Sequence, residues 1–399
     1  MNSSHRVALF TDTFHEVNGV ALTCRQFASF ASRRGLPMLR VHPGSHSRIS
    51  QDGPHTVFEL APSRLSFGFE SDLQFDLRFL RHKNFVRDAL ERFRPDLIHV
   101  TAPGHCSILG VILAHELNIP LAASWHTNIH EFGARRLGQY LPTSITARVE
   151  SLILAVAVRY YRIARMIFAP NPELRSMLAA RTGKPVFPMN RGVDLSLFHP
   201  RPETRPANAP LTIGYVGRLT PEKNVRLLSQ LRIPAARFLI VGPGSERDWL
   251  RANLPNAELP GVLHGEALAR AYASMDIFAF PSSTDTYGNV VQEAKACGVP
   301  VVVSSGGGPK YLVRHGVDGM VTSTSSDFIA AVELLSHDSV LRARMSAAAV
   351  ASAQSLSWDA VFEGVYAAYQ TQGSTPAPAF STVSNLTGER RIYGGSQLR

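Results

Sequence analysis

"STDTYGNVVQEAKACGVPVV", residues 283–302, decides how this chain is read. A small-polar turn runs into a glycine, then a short stretch carrying an acid, then a second glycine and a β-branched run. The pattern predicts a helix from about Asn289 to Cys297, closed by Gly298 in the left-handed conformation. Glu293 falls about one turn inside that helix, and Asp285 lies in the loop before it. A carboxylate so placed can accept two hydrogen bonds from a sugar diol. The free N–H groups of Gly288, Asn289 and Val290 at the helix start favour an anion. A turn-capping Asp285 and a solvated Glu293 would fit the same letters.

Outward from this element, apolar strand-like runs alternate with helical patterns. "RVALFTD" (6–12) is a buried-strand run, and a helical pattern follows to Gly35. "FVRDALERFRPDLIHVTAP" and "HCSILGVILAHELNIPLAASWHTN" repeat the unit, as do "ARVESLILAVAVRYYRIA" and "RMIFAPN". Helices between apolar strands predict parallel βαβ units with helices on both sheet faces. "HPRPETRPANAPL" (199–211) reads as a linker, after which the alternation restarts with "TIGYVGRL", "NVRLLSQL" as a helix, and "RFLIVGPGS". The expected architecture is α/β: two Rossmann-like domains facing one cleft, residues 1–198 and 211–355, joined by a linker at 199–210. A helix at 357–371 is expected to pack back on the first domain, and 373–399 reads as a flexible tail. Ligands in such sheets gather beyond the carboxyl ends of the strands.

Hydrophobic residues make up 45% and charged residues 18% of the 399, an ordinary globular composition. No apolar run approaches the roughly 20 residues of a bilayer span, and no export signal is read at the N-terminus. Cys24, Cys106 and Cys297 stand far apart without a CxxC pair, which argues against a zinc or disulfide framework and fits a reducing cytoplasm. The +10 charge is uneven: residues 1–200 hold 23 Lys/Arg against 15 Asp/Glu, the remainder 18 against 16. A basic first half suits an anionic partner such as a membrane surface, phosphorylated substrate or nucleic acid, or is merely the composition of an arginine-rich proteome. No nucleic-acid motif accompanies it.

Three further stretches could carry chemistry. "GRLTPEKN" (217–224) offers Arg218 and Lys223 at a strand's carboxyl end, a pairing suited to a diphosphate; it is equally an ordinary surface loop. Gly19 in "EVNGV" would let backbone approach the same phosphates, or serve a tight turn. His126 stands at the carboxyl end of a strand facing the expected cleft, where a structural histidine is the bland alternative.

Together these residues resemble the family 4 (group 1) retaining glycosyltransferases of the two-domain GT-B fold, over nearly the whole chain from "FTDTFHEVNGV" to "GVDGMV". The resemblance implies that Arg218 and Lys223 bind the donor diphosphate and Glu293 the nucleotide ribose. Asp285 and the amides of Tyr287, Gly288 and Asn289 would hold the donor sugar. Gly19 would let the first domain close on the phosphates, His126 would contact the transferred sugar near its anomeric carbon, and "RGVD" (191–194) would be the interdomain crossing. It implies a retaining, metal-independent hexosyltransferase with a nucleoside-diphosphate sugar as co-substrate and no other cofactor; no DxD motif occurs. Two departures stand out: Asp285 is shorter than the family's usual glutamate, and Lys310 follows Pro309 where an acid is common.

The opening "TDTFHEVNGV" and "WHTN" look like the branch holding GDP-mannose-dependent α-mannosyltransferases and UDP-sugar glycolipid synthases, so GDP-mannose is favoured. The acceptor, lipid-linked or a glycan, would lie against the first domain. There "RLSFGFESDLQFDLRFLRHKNF" (64–85) interleaves aromatics with Arg and Lys, either for peripheral contact with the inner membrane face or as an amphipathic helix packed into the core. The rival readings are a nucleotide-sugar epimerase of the same build, which would need further cleft carboxylates, and a catalytically silent binding protein. A dinucleotide dehydrogenase fits less well, because "GPGSER" (242–247) lacks the third glycine of GxGxxG.

Overall fold

The computed structural model describes residues 5–16, 19–70, 73–126, 143–204, 209–285 and 287–373; the tail expected beyond 373 lies outside them. In the first half the strands are β1 (Val7–Phe10), β2 (Met38–Pro43), β3 (Arg48–Asp52), β4 (His55–Leu60), β5 (Ser66–Glu70), β6 (Leu73–Asp76), β7 (Leu97–Val100), β8 (Leu121–Ser124), β9 (Met166–Ala169) and β10 (Val186–Pro188). The second half adds β11 (Thr212–Val216), β12 (Arg237–Val241), β13 (Ala257–Gly261), β14 (Ile277–Phe280), β15 (Val301–Ser304) and β16 (Gly319–Thr322). The helices are α1 (Gly19–Arg33), α2 (Lys83–Phe93), α3 (His105–Glu116), α4 (Thr143–Tyr161), α5 (Pro172–Thr182), α6 (Arg247–Asn253), α7 (Gly265–Ala273), α8 (Asn289–Ala296), α9 (Ser325–His337), α10 (Ser339–Gln354) and α11 (Trp358–Gly373).

Two separate sheets result. The first runs β10-β9-β8-β7-β1-β2-β4-β3, parallel except where β3 turns back on β4; the second runs β13-β12-β11-β14-β15-β16, parallel throughout. In each the order of strand addition reverses once, between β1 and β7 and between β11 and β14. At these switch points the loops at the strands' carboxyl ends splay apart and leave room for a ligand. The loops after β11 and β14 carry Arg218, Lys223 and Asp285, so the topology alone makes them neighbours.

β1 shows why the first sheet is covered on both faces. All four residues are buried, and side chains alternate across a strand. Val7 and Leu9 join a core with Phe27 and Phe30 of α1 and Phe362 and Tyr369 of α11, whereas Ala8 and Phe10 join one with Leu109 and Leu113 of α3. The C-terminal helix α11 therefore does return to the first sheet. Phe362 stacks on Phe27 at 4.8 Å between centroids, and the Tyr369 hydroxyl meets His99 Nδ1 at 2.5 Å. Burial pushes His99 down to about 3, which keeps it neutral.

Two local expectations need correction. Val225–Gln230 forms a 3-10 segment rather than an α-helix; Pro221 and the left-handed Asn224 leave too short a run to propagate one. The stretch 64–85 is not one amphipathic helix. It begins as the antiparallel hairpin β5–β6, continues through a 3-10 turn at Phe79–His82, and only then enters α2. Period-2 aromatics at Phe67, Phe69 and Phe75 explain the strands. Among the described residues, no helix is long and apolar enough to cross a membrane.

Because Phe362 is fully buried against α1, Phe362→Ala is expected to destabilise the first sheet by about 3–5 kcal/mol. Guanidinium unfolding followed by circular dichroism checks this; a loss under about 1 kcal/mol would show that α11 is not part of that core.

Candidate active site

A cleft of about 410 Å³ lies between the two sheets' carboxyl ends. Nine of the ten sequence-predicted site residues line it: Gly19, His126, Arg218, Lys223, Asp285, Tyr287, Gly288, Asn289 and Val290. Glu293 does not. It stands half-buried one turn into α8 and accepts a hydrogen bond from the Tyr272 hydroxyl at 2.8 Å. Burial pushes its carboxyl up to about 6, with the Tyr272 bond opposing.

The centre of the cleft is an ion pair. Lys223 Nζ meets Asp285 Oδ1 at 2.7 Å, and Ser282 Oγ donates to Asp285 Oδ2 at 2.5 Å. Only 9% of the Lys223 side chain and 25% of the Asp285 side chain are exposed, so each charge depends on the other for compensation. Arg218 differs. Its side chain is 64% exposed and reaches Glu222 at 3.7 Å. Sequence spacing placed both cations on one loop but could not say that one would be buried and the other exposed.

The Asp285 loop rests on the glycine loop after β15. Gly308 N–H donates to the Asp285 carbonyl at 2.7 Å, and a Cβ on Gly307, whose φ is +70°, would lie 2.7 Å from that oxygen. Gly288 has φ +96° and opens α8, the left-handed geometry only glycine adopts at little expense. Asn289 Oδ1 is buried in the cleft wall without a hydrogen-bond partner. The glycines of "GPGSER" have a comparable backbone role: a Cβ on Gly242 or Gly244 would lie 1.9 Å from Gly217 O or 2.1 Å from Leu219 O. They let β12's loop pack under the Arg218 loop.

His126 is buried, and its Nε2 shares a 2.7 Å hydrogen bond with Ser124 Oγ. Burial, then the positive charge of Arg191, pushes it down to about 3, so it faces the cleft as a neutral imidazole. Arg191 itself is a cleft residue that motif reading passed over, because "RGVD" was read as a connection. Its guanidinium lies where a Cβ on Gly19 would be, 2.0 Å from Nη1, and among the described residues it makes only a long 3.5 Å hydrogen bond to His126 O. Gly19 therefore makes room for a cation as well as for backbone. Burial pushes the Arg191 guanidinium below its usual range, with Tyr287 and Asp285 opposing. Among the described residues no carboxylate forms an ion pair with it. The Tyr287 hydroxyl anchors the crossing by donating to Arg191 O at 2.9 Å.

Lys310 does not line the cleft. Its Nζ is 3.7 Å from Glu173 of α5, which also accepts from the Tyr311 hydroxyl at 2.7 Å. The unusual lysine thus meets an acid on the opposite sheet's helix.

A family model described as Glycosyltransferase Family 4 matches residues 17–234, and one described as Glycosyl transferases group 1 matches residues 210–338. A GDP-mannose-dependent alpha-mannosyltransferase of Mycolicibacterium smegmatis is 30% identical, over 92% of this chain and 97% of its own. One of Corynebacterium glutamicum is 29% identical, over 89% and 86%. The sucrose-phosphate synthase of Thermosynechococcus elongatus superposes with a TM-score of 0.69 at 18% identity, over 92% of this chain and 98% of that one.

If Lys223 and Asp285 compensate each other, a double-mutant cycle with Lys223→Ala and Asp285→Ala is expected to give a coupling of about 0.5–3 kcal/mol in urea unfolding. Effects additive within about 0.3 kcal/mol would show that the pair is not formed.

Two Rossmann-like sheets facing one cleft, a lysine–aspartate pair at the second sheet's switch point and a family match over more than half the length lead to one assignment: the chain belongs to glycosyltransferase family 4 and is a GT-B glycosyltransferase.

Proposed function

We propose that the enzyme moves mannose from GDP-mannose to a hydroxyl of a lipid-linked or glycan acceptor, with retention at the anomeric carbon and without a metal ion. The observation that carries this is the convergence of Lys223 and the carboxylate-free Arg191 on the amides at the start of α8. A buried lysine, a half-buried arginine and a helix N-terminus can stabilise the charge that develops on a departing diphosphate. The GDP-mannose assignment draws on the names of the relatives above.

In this mechanism Lys223 exchanges Asp285 for the diphosphate, and Asp285, still held by Ser282, turns to a sugar hydroxyl. Arg191 binds the diphosphate from the interdomain crossing, with Arg218 at its exposed side. Neutral His126 hydrogen-bonds the sugar near its anomeric carbon. The acceptor oxygen bonds to that carbon on the face the diphosphate leaves, the old carbon–oxygen electron pair stays with the diphosphate, and the acceptor proton passes to a diphosphate oxygen. Asp285 is the cleft-lining carboxylate, and its two donors tie it down, which favours this front-face course over a double displacement. The enzyme works at the cytoplasmic membrane face: Leu65, Leu77, Leu80 and Phe85, each at least 40% exposed, accompany Arg64, Arg78 and Arg81 on the 64–85 segment. Such a surface suits anionic lipid.

Calorimetric titration with GDP-mannose and UDP-glucose tests the donor. GDP-mannose is expected to bind, with Arg191→Ala and Glu293→Ala each weakening it at least about tenfold, or 1.4 kcal/mol. Tighter binding of UDP-glucose would overturn the donor assignment, and binding without turnover would reduce the protein to a silent relative.

Glu293 makes this binding pH-dependent if its carboxylate receives the ribose. With the carboxyl pushed up to about 6 in the donor-free protein, affinity should hold above pH 6 and fall up to about tenfold per unit below it. Folding stability responds in the opposite sense. Between about 4.5 and 6 the folded state holds a proton that the unfolded chain has lost, so Glu293's contribution to stability rises as pH falls through that window. A flat affinity between pH 7 and 5, absent from neither wild type nor Glu293→Gln, would remove Glu293 from the binding site.

A further inference from the structure

The strand pair β2–β4 sets two metal-ligating side chains side by side. The strands run parallel with His42 opposite Glu59, so both side chains leave the same sheet face. Both are buried. The loop after β1 brings a third residue over them. His15 Nε2 lies 3.8 Å from Glu59 Oε1, and the His15 ring meets His42 edge-on at 5.0 Å between centroids. One ligand atom from each of the three lies within 4.8 Å of the other two. Ligands about 2.1 Å from one tetrahedral ion sit roughly 3.4 Å apart. Closing the set therefore asks for a small rotation of the exposed His15 and leaves the strands where they are. No cysteine takes part, so cysteine spacing gives no hint of this cluster.

The surroundings hold the three side chains in place. His42 Nδ1 lies 3.0 Å from Pro43 O. A carbonyl oxygen only accepts, so Nδ1 carries the hydrogen and Nε2 the lone pair; a carbonyl contact of this kind orients metal-binding histidines. Phe14 stacks on the His42 ring at 4.5 Å and 8° and fixes its plane. Arg25 Nη1 braces the His15 loop by donating to Phe14 O at 2.6 Å and Glu16 O at 3.1 Å. Glu59 is oriented by Arg48, whose Nε donates to Oε2 at 2.6 Å and Nη2 to Oε1 at 3.0 Å. Each carboxylate oxygen offers two lone pairs, so one on each stays open. Gly44 leaves room beside them: a Cβ there would lie 2.8 Å from Glu59 Cβ and 3.0 Å from Oε2. Arg40, two residues before His42, is already paired with Asp52.

We infer that His15, His42 and Glu59 form a binding site for one divalent transition-metal ion, of which Zn²⁺ best suits two imidazoles and a carboxylate. Three protein ligands leave the ion a fourth position for water. The ion pins the β1–α1 loop to β2 and β4. It takes no part in the sugar transfer proposed above, because none of its ligands lines the donor cleft. Arg48 is its competitor. Guanidinium and ion seek the same carboxylate, and the Arg48 side chain, 63% exposed, can withdraw into water when the ion binds.

The test titrates the metal-stripped full chain with Zn²⁺ by calorimetry. A parallel titration with Co²⁺ is followed by visible absorption, which intensifies when six-coordinate aqueous cobalt becomes four-coordinate. One equivalent of each ion is expected to bind. His15→Ala, a surface change, and Glu59→Gln should each weaken Zn²⁺ at least about tenfold. Arg48→Ala should tighten it at least about threefold, a direction that damage to the fold would not give. Asp12, His105 and Cys106 form a separate group of potential ligands, so His105→Ala should leave the affinity unchanged. Zn²⁺ should also raise the thermal unfolding midpoint of wild type and not that of His15→Ala. The inference is overturned if wild type gives no Zn²⁺ heat, or if binding is unmoved by His15→Ala. Binding lost in His105→Ala but kept in His15→Ala, or weakened in Arg48→Ala, would overturn it equally.

Discussion

The Lys223–Asp285 pair is the contact on which the cleft depends, and its origin is topological. The strand order of the second sheet reverses between β11 and β14, so the loops leaving these adjacent parallel strands must separate, and each contributes one member of the pair to the gap. A buried lysine alone would lose its proton or draw in water, and a buried aspartate alone would pick one up. Paired in the gap, each supplies the other's partner at 2.7 Å, and the pair presents a cation and a hydrogen-bond acceptor side by side in the cleft. In the proposed function a diphosphate would take Asp285's place beside Lys223, while Asp285, still held by Ser282, would accept hydrogen bonds from sugar hydroxyls.

That arrangement reaches well beyond the two residues. Asp285 keeps its place because Ser282 holds one oxygen and because the glycine loop at 306–308 supports its backbone from below, where Cβ atoms on Gly306 or Gly307 would collide with Ser283 or Asp285. Tyr287, two residues further on, fixes the interdomain crossing through the Arg191 carbonyl, and Arg191 fills the space left by Gly19. The small residues and the charged ones thus form one mechanical series, from the glycine loop through the acid and the tyrosine to the opposite sheet. Lys310 and Tyr311, on Glu173, add a second polar tie between the halves. Exposed pairs of this kind contribute little, about 0–1 kcal/mol, which leaves the halves free to adjust when a donor enters.

Periodicity and loop chemistry made much of this legible. β1, β7, β8, β9 and their helices follow from apolar runs punctuated by glycine and proline, and the α8 start at Asn289 follows from Gly288 and the closing Gly298. Nine of the expected site residues meet in one cleft because they sit in the loops beyond the strands' carboxyl ends or in the first turn of the helix that follows, where the fold class puts ligands. Three features were not legible. The 3-10 segment at Val225–Gln230 has an ordinary helical composition and is limited by the left-handed Asn224 before it. The β5–β6 hairpin shares its residues with an amphipathic-helix pattern, and pairing between two strands is not a property of either one's sequence. Arg191 was hidden because its role comes from the empty volume at Gly19, 172 positions away. A spare basic residue inside the "RGVD" turn and a glycine at a helix start were the available signals, and neither points to the other.

The shorter acid at 285 can now be explained without invoking decay. Its carboxylate already reaches Lys223 at 2.7 Å and Ser282 at 2.5 Å from a loop pressed against the glycine backbone behind it. Under these constraints one more methylene would drive the head group into the lysine or force the loop outward, and Gly307 and Gly308 leave the backbone little room to retreat in the other direction. Side-chain length and loop position are matched here: with its carbonyl held by the Gly308 amide, the aspartate reaches both Lys223 and Ser282. What the site requires at this position is a carboxylate at a given point in space, between a lysine and a hydroxyl, and this chain meets that requirement with aspartate.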